Sequence, residues 1–251
     1  MSYTVLATQQ NPALVVYLLD ISRSMTLPMG KKRRIDVVTE SLTAAVKQMV
    51  FRSTKGTRLL PRYRIAMYAY SDQVYDLLGG IRSVDEVARR GIPELIPQQH
   101  TSAALAFETA ERLLEKELPE LREGPAPLIC HMTDGSPSGG AGDPEPVAKR
   151  LMQMAVPDGN VLIENILISD ELIGAPLTDV KQWEGYHSHT SFAEEGAEKL
   201  KRMSSVIPET YRETMLDSGY RLAEGSLMLL PGSSPELVAL GFQMSAATPV
   251  R

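Results

Sequence analysis

Residues 14–24 read LVVYLLDISRS. Six apolar residues, Leu14 to Leu19, end on a carboxylate, Asp20. A short run rich in Val and Leu with a polar stop is the pattern of a strand buried on both faces. The loop that follows places hydroxyls at every second position, Ser22 and Ser24. In a tight turn, Asp20, Ser22 and Ser24 can all face one point. They offer hard oxygen donors, which suit Mg²⁺ or Mn²⁺. In open α/β sheets ligands bind beyond the carboxyl ends of the strands, where the strand order switches sides. The loop after Asp20 is therefore the first place to look for a site.

Working outward, Ile35, Val38, Leu42, Ala45, Val46 and Met49 recur at helical spacing. YRIAMYAY, Tyr63 to Tyr70, reads as a second strand. Val74 to Leu78 reads as a short antiparallel edge strand, and Val84 to Arg90 as a weak helix. Thr101 is expected to open a helix whose inner face holds Leu105, Ala106, Ala110, Leu113 and Leu114. LICHMT, Leu128 to Thr133, is another buried strand, and it stops at Asp134–Gly135. After a loop rich in Gly and Pro, Pro146 to Met154 reads as helix, Val161 to Ile168 as strand, and Ala193 to Met203 and Glu209 to Ser218 as helices. Leu227 to Leu230 reads as a last short strand, and Ser234 to Gly241 as a closing helix.

Strands alternating with helices imply a doubly wound α/β fold. The sheet is expected to be mainly parallel, with helices on both faces and one antiparallel edge strand. LVVYLL and LICHMT should be its central neighbours. No repeat or linker divides the chain, so a single domain is expected over 1–251. Its core would span about 12–232, with 169–191 an insertion or lid and 233–251 an extension.

The 251 residues are 43% hydrophobic and 23% charged, an ordinary globular balance, and the net charge is -5. A general nucleic-acid binder would be basic, so no nucleic-acid partner is expected. The single cysteine, Cys130, excludes an intrachain disulfide and a cysteine-rich zinc site. The apolar run ending at Asp20 is too short to span a membrane and poorly placed for a signal peptide. A cytoplasmic location away from membranes is the resulting expectation.

Thr101 at a helix start and Asp134 after a buried strand add a hydroxyl and a second carboxylate to Asp20, Ser22 and Ser24. Two carboxylates and three hydroxyls are too few to enclose Ca²⁺ but suit Mg²⁺, which keeps several waters. DISRS at Asp20 to Ser24, HTSAALAF around Thr101 and HMTDGSPS around Asp134 together resemble the metal-ion-dependent adhesion site of von Willebrand factor A domains. The resemblance covers roughly residues 12–232. The stretch KLKRMSSVIPETY is similar to bacterial members, of the tellurite-resistance and stress-operon kind. The resemblance implies that Asp20, Ser22, Ser24 and Thr101 ligate the metal, with Asp134 direct or through water. It also implies that a partner protein's Glu or Asp completes the shell. Arg23 stands where many members have Gly, which takes some freedom from the loop. Ser102 competes with Thr101 for the ligand role; the spacing to Ala106 and Phe107 favours Thr101.

Other features have plainer readings. Lys31–Lys32–Arg33–Arg34 is a solvated face or a rim for an acidic partner. His187 and His189 form a His-x-His pair without a nearby third ligand, so a solvated loop is expected. His131 is expected to be buried and hydrogen-bonded, and Cys130 to be a small core residue. A binding module is the leading expectation, with no reaction. The alternative is an Mg²⁺-dependent hydrolase of phosphatase type using the same site, for which His100 is the one imidazole near a ligand in sequence. A nucleotide-binding reading fails, because neither G-x-G-x-x-G nor a phosphate loop follows the first strand.

Overall fold

The protein is described by a computed structural model covering residues 2–135, 142–169, 177 and 179–250. The strands of the central sheet are, in chain order, β1 (Ala13–Asp20), β2 (Tyr63–Tyr70), β3 (Val74–Asp76), β4 (Arg82–Ser83), β5 (Leu128–Thr133), β6 (Leu162–Leu167) and β7 (Leu229–Pro231). Their order across the sheet is β7-β6-β5-β1-β2-β3, with β4 also on the outer edge of β2. β1, β2, β5, β6 and β7 run parallel; β3 and β4 pair antiparallel with β2. LVVYLL and LICHMT are neighbours at the centre, as expected, with Leu18 opposite His131. Every residue of β1 and β5 is buried, which is why both read as unbroken apolar runs rather than alternating ones.

The helices are α1 (Arg34–Arg52), α2 (Val84–Arg90), α3 (Ala103–Glu117), α4 (Pro144–Leu151), α5 (Glu195–Arg202), α6 (Glu209–Asp217) and α7 (Pro235–Ser245). They cover both faces. Ile35, Val38, Leu42 and Met49 of α1 share one core with Val238 and Phe242 of α7 and with Val15, Tyr17 and Leu19 of β1. The residues between them on β1, Leu14, Val16 and Leu18, pack on the other face with Ala106, Phe107 and Ala110 of α3 and with Val147 and Leu151 of α4. The period of two along a strand thus sends alternate side chains into separate cores. Burying a Leu, Ile, Val or Met of this kind is worth roughly 1.5–3 kcal/mol.

Several boundaries differ from the sequence reading. Thr101 does not open α3: Ser102 is its N-cap residue and Ala103 its first helical residue. The helix expected from Pro146 starts earlier, because Asp143 caps it by accepting from the Glu145 amide and Pro144 takes the first helical position. It ends at Leu151, beyond which the chain forms a short hairpin over 155–160 with strands of two residues each, and the Asn160 side-chain amide caps the Met152 carbonyl. The last helix is longer than expected and runs to Ser245. The segment after residue 232, expected to extend beyond the core, is packed into it. Tyr17 Oη lies 2.7 Å from Ser245 Oγ, Tyr63 Oη donates to the Ala246 carbonyl at 3.1 Å, and Ala7 pairs with Val250.

The polar stretch after β6 is described from 179. It holds one 3₁₀ turn, Val180–Gln182, and lies against the 221–227 segment through Arg221 N to Lys181 O, Ala223 N to Glu184 O and Leu227 N to Tyr186 O. Trp183, Tyr186 and Phe192 pack edge to face, with centroids 5.2 and 4.9 Å apart. Residues 170–176 and 178 of the expected lid lie outside the described residues, as do residues 136–141 of the Gly- and Pro-rich loop.

Candidate metal centre

Chain connectivity brings three loops together at the carboxyl end of the sheet. From β1 the chain runs through α1 to β2 on one side, and later through α3 to β5 on the other. The loops leaving β1 and β5 therefore diverge at the point where the strand order switches, which is where open α/β sheets bind ligands. Asp20 is the last residue of β1 and Asp134 follows β5 directly.

The first loop is held rather than free. Ile21 and Met25 are buried in the α1-side core, and a 3₁₀ turn, Arg23–Thr26, carries Ser24. Ile21 N donates to the Tyr70 carbonyl, and Gln98 N donates to the Ile21 carbonyl at 2.6 Å. Tyr3 is the one described non-glycine residue with positive φ, so Arg23 fits its turn without left-handed strain.

Asp20 is fully buried. Its Oδ1 accepts the Ser22 amide at 2.8 Å; its Oδ2 accepts Thr133 Oγ1 at 2.8 Å and Thr101 Oγ1 at 3.4 Å. Ser22 Oγ and Ser24 Oγ are 3.1 Å apart. Burial pushes the Asp20 carboxyl above the usual carboxylate range; hydrogen bonds from Ser22 and Thr133 pull it back, and the like charge of Asp134 pushes it up again. Asp134 is 7% exposed, and its Oδ2 lies 3.4 Å from Arg34 Nη1. Asp20, Ser22, Ser24 and Thr101 are thus linked around one carboxylate, with Asp134 close enough to act on it electrostatically.

Among the described residues no three carboxylate, imidazole or thiol side chains gather to hold a metal by themselves. An ion here would depend on the hydroxyls as well as on the two carboxylates. That donor set is all oxygen, and two buried like-charged carboxylates side by side are stabilised by a cation between them. The residues fit Mg²⁺ or Mn²⁺ on both counts.

Gly135 keeps the second loop tight. Its φ is +73°, and a Cβ there would come 2.8 Å from Leu167 Cδ1. Its amide donates to Thr133 Oγ1 at 3.1 Å, which orients that hydroxyl toward Asp20. Gly135→Ala is expected to lower the unfolding free energy by about 1–2 kcal/mol through the left-handed backbone alone. Urea unfolding checks this, and an unchanged midpoint would show that the turn is not fixed.

Sequence reasoning missed four groups. Thr133 was read only as the end of a strand, yet it bonds Asp20. Tyr70, opposite Asp20 in the β1–β2 ladder, lies beneath the site with its hydroxyl 2.7 Å from His131 Nε2. Burial raises the Tyr70 phenol well above its usual range, and the Asp20 charge adds to this. His131 is buried and hydrogen-bonded, as expected, and burial lowers it to about 4. Its Nδ1 lies 2.7 Å from Asn165 Oδ1, and Asn165 Nδ2 donates to Ser204 Oγ and the Met203 carbonyl. Because the Asn165 amide nitrogen is committed as donor, its oxygen must accept from Nδ1–H. Nε2 then accepts from Tyr70.

Arg34 is the fourth. The basic run is not one solvated face: Lys32 pairs with Glu40 at 2.6 Å, Arg33 with Asp36 at 2.7 Å, and Arg34 turns inward to Asp134. A cation at the first position of α1 opposes the helix dipole, and that misfit was the available signal. His187 and His189 stack with centroids 5.1 Å apart. Cys130 is buried.

No family model matches the chain, and no curated protein matches it. Solved structures do share its fold. The PilB minor pilin of Streptococcus sanguinis superposes with a TM-score of 0.56 at 10% identity, over 93% of this chain and 60% of that one. Proximal thread matrix protein 1 of the mussel byssus gives 0.54 at 14% identity, over 94% of this chain and 48% of that one. The conserved hypothetical protein BatB of Bacteroides thetaiotaomicron gives 0.51 at 16% identity, over 93% and 98%. The chain spans about half of the byssus protein and 60% of the pilin. What these likenesses share with this chain is the fold, a doubly wound α/β arrangement with a mainly parallel sheet.

Proposed function

We propose that the chain is a metal-dependent protein-interaction module. Mg²⁺ or Mn²⁺ would be held by Asp20, Ser22, Ser24 and Thr101, with Asp134 direct or through water, and a partner's Asp or Glu would complete the shell. The observation that carries this is the meeting of Asp20 with three hydroxyl-bearing segments at the strand-order switch. The surroundings also suit a protein surface. Leu27, Ile96 and Leu105 lie on the segments that build the site and are 48%, 60% and 37% exposed. Exposed apolar side chains on these segments can supply buried area to a protein interface.

The absence of a reaction is part of the proposal. His131, the imidazole beneath the site, has both ring nitrogens engaged and is buried, which leaves it no proton-transfer role toward a bound water. No helix among the described residues is long and apolar enough to cross a membrane. A cytoplasmic location, and the narrower likeness to bacterial tellurite-resistance and stress-operon members, rest on the sequence.

The test is thermal. Saturating Mg²⁺ or Mn²⁺ at about a hundred times Kd adds about 2.7 kcal/mol to the folded state. In a chain of this size that is a rise of roughly 5–10 °C in Tm. Asp20→Ala is expected to abolish the rise and Ser22→Ala to reduce it. An equal rise in wild type and Asp20→Ala would place the ion elsewhere and end the proposal.

A further inference from the structure

The four consecutive basic residues do different things. Lys32 and Arg33 reach outward to Glu40 and Asp36, while Arg34, the first residue of α1, reaches into the candidate site. Its side chain is only 13% exposed, and that of its partner Asp134 is fully buried. A helix N-terminus favours anions over cations, so a buried arginine there is held by what it meets, the Asp134 carboxylate.

The charges set a consequence. Asp20, Asp134 and Arg34 together carry one net negative charge. A divalent ion would turn this into one net positive charge, where two carboxylates alone would be left neutral. A single incoming carboxylate would then neutralise the loaded site completely.

We infer that Arg34 is a resident counter-cation of the site: it competes with a divalent metal for Asp134 and leaves the metal-loaded site with one net positive charge. The inference rests on the metal reading proposed above. It makes metal occupancy sensitive to the free ion concentration, because the protein already holds a cation against one of the two carboxylates. It also makes the loaded site more receptive to an anionic side chain than the metal and its ligands would be alone.

The experiment measures Mn²⁺ binding to the whole chain by calorimetry, in wild type, Arg34→Gln, Arg34→Met and Arg34→Lys. Removing a like charge a few ångströms from the ion is expected to tighten Mn²⁺ about tenfold or more in the Gln and Met variants. The Lys variant, which keeps the charge, should stay near wild type. Without metal, the Gln and Met variants should melt below wild type, because Asp134 is left buried without its cation. Mn²⁺ should restore them by a larger Tm rise than wild type shows. The Met variant keeps the apolar stem of the side chain and guards against a folding failure of the Gln variant. Mn²⁺ binding in wild type with equal or weaker binding in both neutral variants overturns this inference and leaves the metal reading standing. No Mn²⁺ binding in wild type or in either neutral variant removes both.

Discussion

Asn165→Leu is expected to lower the unfolding free energy by about 3–5 kcal/mol, a large share of a domain's net stability. Asn165 sits fully buried on β6, opposite His131 on β5. Its oxygen takes the His131 Nδ1 proton at 2.7 Å, and its nitrogen serves the Met203 carbonyl at 3.1 Å and Ser204 Oγ at 2.9 Å. Leucine fills a similar volume and serves none of them. The imidazole N–H and the Met203 carbonyl lose these partners where water does not reach, and each such loss costs about 1–3 kcal/mol. The damage should also travel. His131 positions the Tyr70 hydroxyl, and Tyr70 lies opposite Asp20. The variant should therefore show a smaller metal-dependent Tm rise than wild type. Urea unfolding with and without Mn²⁺ measures both effects. A loss under 1 kcal/mol would mean that the chain from Tyr70 to Ser204 is not closed in solution.

Glu164→Met should do the opposite and stabilise the protein by roughly 1–3 kcal/mol at neutral pH, the usual scale for a buried polar group lacking a hydrogen bond. Glu164 is the residue before Asn165 and points to the other side of the sheet. It is fully buried, and neither carboxyl oxygen has a hydrogen-bond partner. Cys130 faces it across the ladder, and a thiol is a weak donor. Burial pushes the Glu164 carboxyl well above the usual range, so it keeps its proton to higher pH in the fold than in the unfolded chain. Above the ordinary glutamate pKa, about 4.3, the unfolded state holds fewer protons than the folded one. Stability then falls as pH rises from that point until the folded group itself ionises. The Met variant should lack this slope, so its advantage should grow with pH and shrink toward pH 4. A constant difference across pH 4–8 would show that Glu164 finds a partner or ionises in the fold.

How much of this was legible in the sequence follows from which interactions are local. The apolar runs of β1 and β5 and the helical spacing of α1 lie within short windows, and each forms the element its pattern indicates; the hydroxyls after Asp20 lie in an equally short window and meet beside its carboxylate. Thr101 joins Asp20 through its expected place at a helix start and through resemblance, and the hydrogen bond across 81 positions accords with the pairing. Arg34 and Asp134 are 100 positions apart, and Tyr63 reaches the carbonyl of Ala246 across 183. No periodicity encodes such partners. A run of four cations reads as a single patch until the fold turns one of them inward. A Glu in VLIENILI reads as a polar interruption until helices are seen to cover both faces of the strand. Part of the packing of α7 was hidden for the same reason, because Val238 and Phe242 share a core with α1 and β1 from the start of the chain.

The margins of the sheet bear on how copies of the protein meet. β2 is screened on its outer side by two short antiparallel pieces, β3 and β4. The turn after β3 is locked by Asp76, whose carboxylate accepts the amides of Leu78, Gly79 and Gly80. At the far margin β7 is three residues long and ends on Pro231, which has no amide hydrogen to give. Neither margin offers a growing fibril a long row of free amides and carbonyls. Strand addition, by a second copy or by an extended peptide, finds little template here. Under the function proposed above, recognition would fall to the loop end of the sheet, where a partner must match side chains rather than extend a backbone ladder.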